Sequence, residues 1–135
     1  MILDVPGQEF VFPQAVNDRG DVVGWANGPL GQQAVVRLAP DYDAVDITPP
    51  GARYAVAYDI NDRRQVVGLV GAADHEWAFR WDPHTDRVVD LGGLGGTSAR
   101  ALGINERGIA VGYAEIRADE RINHAAVFVT RSGRR

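Results

Sequence analysis

The chain has 135 residues, a 45% hydrophobic fraction and a formal net charge of −4, a profile of one folded domain or one set of repeats rather than of a disordered chain. It has no Cys, so disulfides, thiolate metal sites and Cys nucleophiles are excluded, and its 14 basic residues are all Arg, which removes Schiff-base lysine chemistry. The acidic balance gives no support to nucleic-acid binding, which needs a clustered basic surface.

In chain order, Ile2-Leu3-Asp4-Val5 is the first short strand. Asn17-Asp18-Arg19-Gly20 is a turn, because Asn and Asp side chains bond their own backbone and tolerate the left-handed region. Val22-Val23-Gly24-Trp25, Ala34-Val35-Val36-Arg37-Leu38 and Ala44-Val45-Asp46-Ile47 are strands. The next unit is the clearest. Tyr54–Ile60 forms its first strand, Asn61–Arg64 a turn, Gln65–Val70 a β-branched second strand, Gly71–His75 a polar loop and Glu76–Trp81 an alternating third strand. Asp82–Asp86 is a Pro-containing turn, Arg87–Leu91 a fourth strand and Gly92–Gly96 a connection. Ala110-Val111-Gly112-Tyr113 and Ala126-Val127-Phe128-Val129 supply strands of a third unit.

The phrase at Asn17–Gly24 returns at Asn61–Gly68 and at Asn105–Gly112, each 44 residues on. A repeat of that length is one supersecondary unit that cannot bury its apolar face alone. The expected fold is therefore all-β: a single repeat domain over residues 1–135, with four-stranded units at about 10–53, 54–98 and 99–135. No fourth strand follows Val129, and its counterpart stands ahead of the first unit: Ile2-Leu3-Asp4-Val5 resembles the fourth strands around Asp46 and Asp90. Such an offset is how β-propellers close, a displaced strand completing the last blade and removing an unpaired edge. Known propellers use about four to eight blades. Three blades per chain therefore predict a two-fold homodimer forming a six-bladed ring, with strand 2–5 exchanged into the partner. The rival is a β-trefoil monomer, which also has three four-stranded units.

Gly103-Ile104-Asn105 with Gly108, Val111, Gly112 and Tyr113, then Ala78-Phe79-Arg80-Trp81 and Asp90-Leu91-Gly92-Gly93-Leu94-Gly95-Gly96-Thr97-Ser98, resemble the HAF repeat family over nearly the whole chain. The first unit departs, with Thr48-Pro49-Pro50-Gly51 in place of the Gly-rich connection. The name-giving His before Ala-Phe is Trp77 here, with Gln33 and Ala125 assigned to the equivalent places. The resemblance implies a bacterial, propeller-like β repeat, common in proteins with an exported look, and implies no particular reaction.

Most repeated residues have structural explanations. Asn17, Asn61 and Asn105 are turn residues; Gly24, Gly68 and Gly112 mark close backbone approach or a bulge; Asp4, Asp46 and Asp90 bond turn amides. The Gly92–Gly96 run lacks the following helix that a phosphate-binding loop needs. His75, His84 and His124 have no metal-ligand spacing, and no metal or cofactor is expected. His84 falls in a solvated turn. His75, flanked by Asp74 and Glu76, and His124, preceded by Arg121 and Asn123, are candidates for acid–base work. The charged stretch Glu115–Arg121 is a solvated loop, and Trp25, Trp77, Trp81 and Tyr113 are expected in the core between units.

Function is sought where the units disagree. First-strand positions hold Phe12/Val56/Arg100, Gln14/Tyr58/Leu102 and Ala15/Asp59/Gly103. In a propeller that strand lines the axial channel, so Arg100, Tyr58, Asp59 and Gln14 are the candidate ligand-binding residues, Arg100 as a clamp for carboxylate or phosphate. Tyr58 and Asp59 are adjacent and point to opposite faces of a strand. Two functions remain: a binding or scaffold module holding a small polar or anionic molecule, and a small cofactor-independent enzyme of specialised metabolism using His75, His124 or Tyr58. The expected partners are a second copy and a small molecule, with no nucleic acid and no membrane. No basic-then-apolar leader opens the sequence, so the location reads as cytoplasmic, or exported if a leader was removed.

Overall fold

The structure, a computed structural model, describes residues 11–28, 31–116 and 123–129. The expected strand at 2–5 and most of the loop 115–121 lie outside them. Among the described residues there is no helix, and eleven strands form three antiparallel sheets. The first sheet joins β1 (Val11–Val16), β2 (Val22–Gly28), β3 (Gly31–Arg37) and β4 (Ala44–Asp46) in chain order. The second joins β5 (Tyr54–Ile60), β6 (Val66–Ala72), β7 (His75–Asp82) and β8 (Arg87–Asp90). The third joins β9 (Ala99–Ile104), β10 (Ala110–Glu115) and β11 (Asn123–Phe128).

The polar loop expected at Gly71–His75 is shorter than its sequence suggested. Gly71 pairs with Glu76 and Ala72 with His75, so only Ala73 and Asp74 are left to turn the chain. Two small residues let the ladder run to its end, and satisfied backbone bonds outweigh the polar character of the segment. The same register corrects one equivalence. Ala26 pairs with Gln33, Val70 with Trp77 and Ala114 with His124. His124, not Ala125, therefore stands in the place of Gln33 and Trp77: the connection before β11 is three residues longer than its counterparts, so strand pairing and not a count along the sequence aligns the units.

Every first hairpin carries a β-bulge, and the bulged residues are Gln14, Tyr58 and Leu102. Opposite them stand Gly24, Gly68 and Gly112. A Cβ there would lie 2.0 Å from Phe12 O, 2.0 Å from Val56 O and 1.8 Å from Arg100 O. No side chain fits, so the glycine and the bulge come as one device.

Two cores result. Val23, Ala34, Val36 and Ile47 of the first sheet meet Ala55, Ile60, Phe79 and Trp81 of the second. Val67 and Ala78 on the other side of the second sheet meet Ala99, Ala101, Ala110, Ala114 and Phe128 of the third. The middle sheet is buried on both faces, which is why β6 reads as an unbroken apolar run instead of an alternating one. Each large aliphatic or aromatic side chain so covered stabilises by about 1.5–3 kcal/mol.

The repeated turn does more than reverse the chain. Asn61 Oδ1 accepts from Arg63 N and Gln65 N, at 3.0 and 2.9 Å, and Asn17 and Asn105 cap their own turns the same way. The amide of each then reaches the next unit: Asn17 Nδ2 donates to Asn61 O and Asn61 Nδ2 to Asn105 O, both at 2.8 Å. Beside them Asp18 N donates to Asp62 Oδ1, and Asp62 N to the Glu106 carboxylate. The 44-residue period is thus a ladder of hydrogen bonds across the seams.

One rung is reinforced. Arg64 has φ of 65°, a left-handed conformation held by glycine at Gly20 and Gly108. Its Nε reaches Asp21 Oδ2 of the first unit at 2.9 Å, and its Nη2 reaches Ala39 O. Asp21 is fully buried and also accepts from Asn17 Nδ2 and Ala39 N. Burial alone would raise its carboxyl pKa, but the bonds from Arg64, Asn17 and Ala39 prevail and hold it below the ordinary value.

Candidate functional site

The polar groups that break the repeat converge on Glu76. This residue occupies a β7 position held by Gln32 in the first unit and Asn123 in the third. Its backbone N–H is tied to Thr97 O at 2.8 Å, which fixes it against the Gly-rich connection. Tyr54 OH donates to Glu76 Oε2; Ser98 Oγ donates to Oε1 at 3.1 Å; and Arg100 Nη2 lies 3.3 Å from the same oxygen. The Arg100 guanidinium also stands over the Tyr113 ring, 5.8 Å from its centre.

The electrostatics follow from these neighbours. Partial burial would raise the Glu76 carboxyl, but the Tyr54 bond, the Arg100 charge and the Ser98 bond together hold it below the ordinary carboxylate value. Burial and the bond to Glu76 push the Tyr54 phenol up to about 12. Tyr54 is therefore a proton donor in a hydrogen bond, and not a base, near neutral pH. Arg100 is raised: its burial acts downward, but the charge of Glu76 leads the groups that outweigh it. Its Nε is buried and finds no hydrogen-bond partner among the described residues.

Two clefts flank the carboxylate. One of about 300 Å³ is lined by Arg53, Tyr54, Asp74, Thr97 and Ser98, and one of about 210 Å³ by Trp77, Asp90, Gly92 and Gly96. His75, Glu76 and Ser98 line both. The Gly-rich wall is held by β10, where Gly96 N donates to Glu115 O and Thr97 Oγ1 to Glu115 Oε1, each at 3.0 Å. This connection is a built wall with no helix behind it, as expected.

Of the residues singled out in the sequence, Arg100 stands in this cluster, and Tyr58 lies near enough to interact electrostatically with Arg100 and Tyr54 when its phenol is ionised. Asp59 is occupied elsewhere: its Oδ2 accepts from Ile104 N at 2.8 Å, a link between the second and third sheets. Gln14 is exposed and makes no hydrogen bond among the described residues. His75 borders the clefts, its Nδ1 3.5 Å from Asp74 Oδ1 and its side chain 49% exposed. His124 lies half-buried on β11, opposite Ala114, and is not the repeat equivalent of His75. No group of three potential ligands for a metal occurs among the described residues. Asp46 and Asp90 do bond turn amides, to Thr48 N and Gly92 N. Of the aromatics, Trp81 is buried in the first core and Trp77 packs beside it, while Trp25 stacks on Phe12 with ring centres 4.0 Å apart.

Tyr54, Glu76 and Ser98 were not selected from the sequence as binding residues. The signal that marks Glu76 is the one used for Arg100, a polar residue differing between aligned units. Comparison of the chain with family models, curated proteins and solved structures gives no match. Among the described residues no helix is long and apolar enough to cross a membrane.

Proposed function

We propose that this chain is a non-catalytic binding module of the β-propeller type, related to the HAF repeats, whose three units are completed by a second copy into a six-bladed ring. It holds a small polar molecule beside Glu76, at the seam of its second and third sheets. Simple up-and-down sheets, paired only within their own unit among the described residues and stacked face to face, support a propeller over a trefoil.

The observation that carries the binding reading is the convergence of Tyr54, Ser98 and Arg100 on Glu76, between two clefts. Polar groups clustered beside a concave surface are the usual frame of a small-molecule site. The pairing narrows the ligand. Arg100's charge is already answered by Glu76, and Asp74 and Asp90 outnumber Arg53 along the walls, so a neutral hydroxyl- or amide-bearing molecule suits the clefts better than an anion. An acid–base role finds no support in the same geometry: Tyr54 holds its proton, and the ionic neighbour of His75 among the described residues is the exposed Asp74.

Titration of the ¹⁵N-labelled chain with glucose, N-acetylglucosamine, acetate and inorganic phosphate tests this. A neutral member of the panel is expected to shift the amides of Glu76, Thr97 and Ser98, and Glu76→Ala to abolish the shift. Shifts there from acetate or phosphate alone, or none from any member, would overturn the reading.

A further inference from the structure

The seam between sheets is built twice within the chain, and each of its halves is also left uncovered once. Val23, Val67 and Val111 are the same position in three sheets. The first two are 1% and 0% exposed beneath the next sheet; Val111 is 50% exposed. Ala34 and Ala78 are fully buried, whereas their counterpart Ala125 is exposed. On the opposite half, Ile60 is 4% exposed against the first core, whereas its counterpart Val16 is 65% exposed. Apolar positions with buried twins are uncovered contact surface, and what covers the twins is another copy of the same unit.

The polar ladder is open in a matching way. In each internal seam the earlier turn gives three donors to the later one: its Asn amide, the next backbone N–H and an Arg, as in Asn61, Asp62 and Arg63 toward Asn105 O, the Glu106 carboxylate and Glu106 O. The third turn carries the same donors at Asn105, Glu106 and Arg107, with no acceptors for them among the described residues. The first turn carries the acceptors: Asn17 O, which takes only Gly20 N among the described residues, and the exposed Asp18 carboxylate. Asp62's charge, with its hydrogen bonding, raises the Asp18 pKa, a repulsion that a guanidinium would relieve.

We infer that a second copy of this chain docks its first sheet onto the third sheet of the first copy, repeating the internal seam, with Val111 covered and Asn105, Glu106 and Arg107 seated on Asn17 and Asp18. A head-to-tail contact of this kind closes when the rotation allows, and two such seams related by a two-fold axis join six sheets. The inference rests on the ring reading above and specifies its contact; exchange of residues 2–5 is a separate device.

The test is the molar mass of the full chain by sedimentation across a hundredfold range of concentration. Two copies are expected, with Val111→Asp raising the dissociation midpoint at least tenfold. Arg107→Glu alone and Asp18→Arg alone are each expected to weaken the dimer, and an equimolar mixture of the two to restore it, because the mixed pair keeps both seams matched. All three positions are exposed in the single chain, and unchanged circular dichroism confirms the fold. A monomer at every concentration would overturn both this contact and the ring. A dimer indifferent to Val111→Asp and to both charge reversals would overturn this contact alone and leave the ring to strand exchange.

Discussion

The side-chain amide of Asn17 donates to the backbone carbonyl of Asn61, 2.8 Å away and 44 residues along the chain. One residue type thus does two jobs: its oxygen closes its own turn and its nitrogen binds the next unit to it. The second rung, Asn61 to Asn105, has its donor residue at 2% exposure, whereas Asn105 is exposed.

That difference predicts unequal costs for equal changes. Asn61→Ala removes two cap bonds, the rung to Asn105 and the bond to Gln65 Oε1, all poorly replaced by water. A loss of about 3 kcal/mol is expected from several buried bonds, against about 1 kcal/mol for Asn105→Ala, whose turn remains wet. Urea unfolding of the two variants decides it; equal losses would show that the rungs are not cooperating.

The glycines opposite the bulges make a second prediction. Gly68→Ala places a Cβ 2.0 Å from Val56 O and must break the bulge or part the hairpin, at a cost of about 3 kcal/mol or more. Gly93→Ala is the control, since its new Cβ would meet only Ala99 Cβ at 3.7 Å, and a change within about 0.5 kcal/mol is expected. Thermal unfolding midpoints separate the two.

Asp21 should contribute to the acid limb of stability, alongside Glu76. Its folded pKa is lowered, so the native state binds fewer protons there than the unfolded chain. The stability it contributes is present above the ordinary carboxylate value and is lost as pH falls through its depressed folded value. Asp21→Asn should flatten that part of the stability–pH curve and cost about 3 kcal/mol at neutral pH, because Arg64 and Ala39 N lose a buried charged acceptor. A curve of unchanged slope would assign the acid loss to other carboxylates.

Tyr54 gives the alkaline counterpart. Its phenol is pushed up to about 12 by burial first and by Glu76 second. Its contribution to stability is therefore complete below the ordinary value near 10 and is lost as pH rises through about 12. Ultraviolet titration of the phenolates should show Tyr54 ionising late, and Glu76→Gln should bring it part of the way back, leaving the burial effect.

Much of the architecture was legible before any coordinates. The Asn turn, the strand at Tyr54–Ile60, the glycine at each bulge and the Asp46 and Asp90 turn bonds all depend on neighbours a few residues away, and short-range physics leaves its mark in short-range sequence. The site was half legible. Arg100 and Tyr58 stood out where aligned units differ, but the pattern could not tell that Asp59 is spent on Ile104 N, nor that Tyr54 and Ser98 meet Glu76. Sequence matching sets Ala125 beside Gln33 and Trp77, where His124 belongs, because the connection before β11 is longer than its counterparts and only strand pairing aligns the units across such a loop.

The sequence by itself determined the unit: its four-stranded pattern, its 44-residue period and the turn that marks it. The tertiary structure alone decided what the units do to one another. Asn17 reaches Asn61, Arg64 reaches Asp21 and Glu76 gathers Tyr54, Ser98 and Arg100 only because stacked sheets bring side chains from separate strands within hydrogen-bond range. Which side chains meet across a face depends on register and stacking, and these are properties of the assembled sheets and not of any one segment.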